Sequence, residues 1–197
     1  MKTLKLIVLV VLLCIAGFIG MNWQLFEDNM TALVYRRGPS MIASLQDFDE
    51  QMTEADILRR LPEMSLRCVS DPEALPLGDR YCYSNIGSYA GLRALRIYLF
   101  LKDGRLATIK VDIPWWLHRQ MGNKLVKDLG APTGAQSSPV LGVRLVGWQL
   151  PNGNLLYNRD ADPNPLMWNT IFWLSPTEAT RIGGVFHPSD NPWPAPI

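Results

Sequence analysis

The sequence predicts an α+β protein, with an N-terminal transmembrane helix followed by two tandem helix-plus-antiparallel-sheet units. Three observations predict it. An unbroken apolar run extends from Leu6 to Met21. Short helical patterns alternate with β-rich hairpin patterns from Phe48 to Phe186. The 15 prolines, 15 glycines and seven tryptophans favour turns and aromatic packing over a helical bundle.

Residues 1–23 form the predicted membrane segment. At about 1.5 Å per residue the apolar run gives roughly 24 Å of helix, so flanking residues complete the ~30 Å hydrocarbon core. Trp23 suits the headgroup level. A removed signal peptide is the alternative, although Phe18 before Gly20 and Ile15 before Gly17 make poor small-x-small cleavage sites. Leu13 precedes Cys14 where a lipidated cysteine wants a small residue, so Cys14 reads as a small apolar residue of the helix. Lys2 and Lys5 precede the helix, whereas Glu27 and Asp28 follow it before Arg36 and Arg37, which places the N-terminus in the cytoplasm. The rest is then exported. In a bacterium the protein is expected to be single-pass in the inner membrane, with its C-terminal domain in the periplasm.

Residues 24–47 read as a juxtamembrane stalk and connector. Leu25, Phe26, Met30, Leu33 and Val34 fall at helical spacing, and Gly38, Pro39 and Ser40 are breakers.

The first α+β unit spans residues 48–113. Thr53 is an N-cap candidate, with Asp56 at the third helical position and Met52 and Ile57 as a staple. Ile57, Leu58 and Leu61 are expected on the buried face, and Pro62 ends the helix after about two turns. Two β-rich runs then flank Asp103 and Gly104, a hairpin signal. Leu99 and Leu101 alternate with Tyr98 and Phe100, so both faces carry apolar character; one meets helices and the other a partner or a second layer.

The second unit spans residues 114–186. Leu117, Met121, Leu125 and Leu129 make a helical stripe that Gly122 and Asn123 could split, with Gly130 and Pro132 beyond it. A second hairpin turns at Asn152 and Gly153, and residues 169–186 read as two further strand-like runs. Ile57–Leu61 matches Leu125–Leu129 in pattern, and the text from Ile97 to Ile109 resembles that from Thr170 to Ile182, which suggests an internal repeat. Residues 187–197 form a proline-rich tail.

Cys68 and Cys82 close a loop of about 15 residues, and on an oxidising side they are expected to form a disulfide. A metal site would need more ligands than His118 and His187 supply at their spacing, and a redox pair would favour C-x-x-C.

The capped helix MTEADILRRLPE, the cysteine-containing β segment and LRIYLFLKDGRLATIKV resemble the units of the SmpA/OmlA family of barrel-assembly accessory lipoproteins and of β-lactamase-inhibitor-like proteins. Met52 and Thr53 match the family's Gly-Met-Thr helix start, with Gln51 in place of the glycine. Leu129, Gly130, Ala131 and Pro132 match its Leu-Gly-x-Pro stop. The resemblance implies a fold that presents a sheet face or loops to another protein.

The whole chain carries 19 Lys and Arg against 18 Asp and Glu. Without Lys2 and Lys5 the exported part is nearly neutral, which gives no electrostatic reason to bind nucleic acid. Ser88 lacks nucleophile-elbow spacing, no Walker or dinucleotide glycine pattern occurs, and Asp160, Asp162 and Asp190 lack a calcium-loop rhythm. No cofactor, metal or catalytic residue is therefore predicted. Trp115 and Trp116 after Pro114, and Trp193 in the tail, are the candidate partner interface. Arg93, Arg96 and Arg105 read as a solvated face. The expected function is that of a membrane-anchored periplasmic interaction module, an envelope assembly factor, accessory subunit or inhibitor; the alternative is a periplasmic hydrolase or small-ligand-binding domain around Ser88, His118 or His187.

Overall fold

The computed structural model describes residues 2–24, 26, 27, 30, 38–70, 77–138, 143–160 and 168–181. It shows a mixed helix and sheet protein with one N-terminal apolar helix, α1 (Lys2–Met21). Its span from Thr3 to Met21 is long and apolar enough to cross a membrane, and none of it is buried among the described residues. A signal sequence has the same length and composition.

After α1, Ser40–Met41 (β1) runs parallel to Ser88–Tyr89 (β4), which pairs with Leu92–Arg93 (β5) in a small three-stranded sheet. A 3-10 turn at Leu45–Asp47 follows. Residues 40–47, expected as connector, belong to the folded core: Met41 and Leu45 are buried, as is Phe48 next to them. Asn152 Nδ2 donates to the carbonyls of Leu45 and Gln46 at 3.3 and 2.8 Å, and to that of Phe48, tying this segment to a distant hairpin turn.

Helix α2 (Glu54–Arg60) starts as its sequence requires, with Thr53 and Asp56 closing a reciprocal capping box. Ile57 and Leu61 enter the core. Leu58, expected beside them, is 42% exposed, because the buried stripe of so short a helix is only one i, i+4 pair wide.

One eight-stranded antiparallel sheet forms the body. Its order is β2 (Arg67–Ser70), β3 (Arg80–Asn85), β6 (Arg96–Lys102), β7 (Arg105–Ile113), β11 (Asn169–Leu174), β10 (Gly153–Asn158), β9 (Val143–Leu150) and β8 (Gly134–Ser138). The first four strands follow α2; the other four follow α3 (His118–Leu129), which is continuous through Gly122 and Asn123. The two groups are not separate sheets, since β7 and β11 pair from Thr108↔Leu174 to Ile113↔Asn169. The β6–β7 turn puts both Asp103 and Gly104 at positive φ, 51° and 74°, as a two-residue hairpin turn with right-handed strand twist demands.

Strand alternation sorts the side chains. On one face Cys82, Ile97, Leu99, Ile109, Val111, Val146, Trp148, Leu155, Tyr157, Ile171 and Trp173 join Ile57 and Leu61 of α2 and Met121 and Leu125 of α3 in a single buried core. On the other face a short helix, α4 (Pro176–Arg181), covers Leu145, Leu156 and Leu174 through Ala179. Residues 176–181 lie within the stretch 169–186 that was expected to hold two strand-like runs. Ser175 Oγ instead accepts from Glu178 N at 3.2 Å, the N-cap of a helix with proline at its first position.

Candidate functional site

The face of the sheet opposite α2 and α3 carries the feature most suited to recognition. On β3, Tyr81 and Tyr83 flank Cys82; on β6, Tyr98 and Phe100 flank Leu99. Because Tyr81 pairs with Phe100 and Tyr83 with Tyr98, the four rings form a two-by-two tile. Centroids lie 5.9 Å apart for Tyr81–Tyr83, 6.0 Å for Tyr81–Phe100, 6.1 Å for Tyr83–Tyr98 and 6.2 Å for Tyr98–Phe100. Phe100 is buried and the three tyrosines are half-buried, so the tile shows solvent a set of ring surfaces and hydroxyls.

Register places the surroundings. The row through Tyr83 and Tyr98 continues to Arg67 on β2 and to Lys110 and Phe172 on β7 and β11; the row through Tyr81 and Phe100 begins at Val69, 39% exposed. Lys110 Nζ lies 4.9 Å above the Tyr98 ring and 3.0 Å from Asp112 Oδ1. The Arg96 guanidinium stands 5.8 Å from the same ring, donates to the Tyr98 hydroxyl at 3.0 Å and to Asn85 Oδ1 at 3.0 Å. Burial pushes the Asp112 carboxyl up from its ordinary range against the pull of Lys110, Thr170 and Arg96. Cations held over a tyrosine face are the arrangement that aromatic quadrupoles favour.

Behind the tile, Cys68 and Cys82 are direct cross-strand partners joined by a disulfide, with Cα atoms 4.0 Å apart. The staple fixes the four-residue edge strand β2 to β3. The Glu54 carboxylate lies within 4.8 Å of both sulfurs. It is not a metal set: the sulfurs bond each other, and Glu54 accepts from Arg80 Nε at 2.7 Å.

Of the predicted interface residues, Trp115 and Trp116 sit away from the tile. They occupy a 3-10 turn between β7 and α3, packed edge to face at 5.8 Å. Trp115 is 39% exposed and Trp116 half-buried. Asn169 Nδ2 donates to the Trp115 carbonyl at 3.2 Å, so the turn is fastened to β11. Trp193 and His187 lie outside the described residues. The sequence carried a signal for the tile that spacing alone did not reveal, an aromatic-x-aromatic pair in each of two adjacent strands.

Ser88 and His118, named for a hydrolytic alternative, have structural partners. Ser88 and Ser40 hydroxyls bond at 2.8 Å on the small sheet. His118 stacks on Tyr157 at 5.2 Å with Nε2 3.3 Å from the Arg159 carbonyl, and burial pushes its pKa down. A cleft of about 180 Å³ lies among Ser40, Ile42, Ala43, Arg60–Met64, below the ~300 Å³ usual for a small-molecule site. A larger basin beside Asp49, Met52, Asp56 and Arg59 is shallow and open.

Compared with protein-family models, curated proteins and solved structures, the chain matches none.

Proposed function

We propose that this chain is a membrane-anchored interaction module whose aromatic tile binds another envelope protein, in the role of an assembly factor or accessory subunit, or of an inhibitor that occupies an enzyme's surface. The tile is the observation that carries the reading. Aromatic rings with polar tips dominate binding hot spots, and this set rests on a disulfide-clipped antiparallel sheet that costs little to pre-organise.

Three further features support it. Helix α1 would restrict diffusion to the membrane plane and raise the partner's effective concentration, so modest affinity suffices. The Cys68–Cys82 bond suits an oxidising compartment, the periplasm if the cell is bacterial. The strand order, read outward from the β7–β11 seam, is fourth, third, second and first on each side, each set following a helix. That order supports two tandem α+β units and agrees with the SmpA/OmlA-like motifs around Thr53 and Leu129. Binding, not catalysis, is the activity this surface suits.

The experiment is capture from detergent-solubilised membranes at native expression, comparing the parent chain with a Tyr83→Ala/Tyr98→Ala variant. A stoichiometric envelope protein is expected with the parent and not with the variant. Repeated recovery of none, or equal recovery by both, overturns the reading.

A further inference from the structure

We propose that the tile has an occupant within this chain, the proline-rich segment 187–197, seated through Trp193. The inference rests on the reading of the tile as a binding surface and adds what fits it: an extended, proline-flanked aromatic peptide with an acidic residue.

Residues 182–197 lie outside the described residues, and three facts about their sequence and attachment matter. First, the described chain ends at Arg181 of α4, and α4 lies on the same side of the sheet as the tile, against β7, β10 and β11. Lys102 of β6 pairs with Glu178 of α4 at 3.4 Å, which brings α4 up to the strand that carries Tyr98 and Phe100. From β7 to β3 is two strand spacings, about 10 Å. Trp193 lies twelve residue steps beyond Arg181, and at ~3.3 Å each these reach about 40 Å.

Second, Pro192, Pro194 and Pro196 alternate with Trp193, Ala195 and Ile197. A residue before proline is restricted towards extended backbone, and proline-rich sequences of this kind are the class of peptide that docks on aromatic surfaces at low ordering cost. Tyrosine rings supply that surface, and their hydroxyls can donate to carbonyls of a segment whose prolines lack N–H groups.

Third, the charges match. Arg67, Arg96 and Lys110 surround the tile with Asp112 the acidic group among them, whereas 182–197 holds Asp190 and no Lys or Arg. Attachment to the same chain makes the contact intramolecular, so a weak one is populated. A partner for the tile would then displace the segment, which sets a threshold for binding.

The test uses the full chain in detergent micelles. Subtracting the emission of a Trp193→Phe chain isolates Trp193 from the other six tryptophans. Trp193 is expected to be shielded from acrylamide, equally at high and low protein concentration. Each aromatic removed, in Tyr83→Ala and in Tyr98→Ala, should lower the bound-to-free ratio about fivefold. Tyr83→Phe/Tyr98→Phe keeps the rings and guards against misfolding, and Pro192→Gly/Pro194→Gly should loosen Trp193 without touching the sheet. Trp193 as accessible in the parent as in the alanine variants overturns the proposal, and shielding that vanishes on dilution overturns it in favour of a second copy's segment. An accessible Trp193 together with partner capture that needs the tile defeats this inference alone. A shielded Trp193 with tile-independent capture defeats the functional reading alone.

Discussion

Tyr83 and Tyr98 are directly opposed on β3 and β6 with ring centroids 6.1 Å apart, while Cys82 and Leu99, the next residue on each strand, are opposed on the other face and buried. One register thus builds a core and a surface from neighbouring residues. Tyr98→Ala should cost about 1 kcal/mol, the worth of ring contacts in a half-exposed pair. Leu99→Ala should cost about 2–5 kcal/mol, because it empties a fully buried site. Urea unfolding followed by tryptophan fluorescence separates the two. Equal costs would mean that the tile is a second core.

The Cys68–Cys82 bond closes a loop with a sequence separation of 14. The chain-entropy model assigns such a loop roughly 3 kcal/mol. Reduction, or Cys68→Ala/Cys82→Ala, should lower stability by that amount, measured by urea unfolding with and without reductant. The loss should appear first as faster amide exchange in β2, an edge strand of four residues, mostly exposed.

Gly153 opens β10 at φ 154°, and a methyl group there would press on the Leu174 carbonyl and lie 2.9 Å from the Trp173 indole nitrogen. Both neighbours belong to the sheet and cannot rotate away. Gly153→Ala should therefore cost about 1–3 kcal/mol, as overpacking does. Gly91, where an added Cβ meets nothing within 4 Å, is the control for the effect of positive φ alone (81°). Thermal unfolding of the two alanine variants gives the comparison.

What the sequence disclosed was local. The Thr53–Asp56 capping box and the Asp103–Gly104 turn are each set by residues within a few positions, and both stand where the pattern put them. The membrane-length helix is a matter of composition, and the disulfide followed from compartment and loop length. What it withheld depends on partners far along the chain. Nothing near Leu45 or Gln46 announces that Asn152 will bond their carbonyls, so a core segment read as connector. The seam between β7 and β11 joins residues about 60 apart and turns two expected sheets into one. Helix α4 was legible: Ser175, Pro176 and Glu178 form an S-x-x-E start, and the β-favouring residues before it outweighed that signal. The tile was half legible. Tyr98 and Phe100 stand out by alternation, but Tyr81 and Tyr83 flank Cys82 with no such apolar alternation around them, and only the β3–β6 register brings the pairs together.

Asp112 gives the fold a pH dependence of known sign. Its carboxyl is buried on the tile's side of the sheet, 3.0 Å from Lys110 Nζ and 3.3 Å from Thr170 Oγ1, and burial raises its pKa above the ordinary 3.8. A carboxyl with a raised folded pKa binds its proton more tightly in the fold than in the unfolded chain. Its contribution to stability is thus complete below the unfolded pKa of 3.8 and is lost as pH rises through the folded pKa. Asp112→Asn removes that loss while its amide oxygen still accepts from Thr170. The variant should be at least as stable as the parent at neutral pH, and the parent's decline above the unfolded pKa should flatten, read by urea unfolding across the pH range. A variant less stable than the parent at neutral pH would show that the pairing with Lys110 and Arg96 outweighs burial. Because Lys110 also stands over Tyr98, the same titration should move the Tyr98 ring resonances, which ties the charge state of a buried carboxyl to the surface proposed to bind the partner.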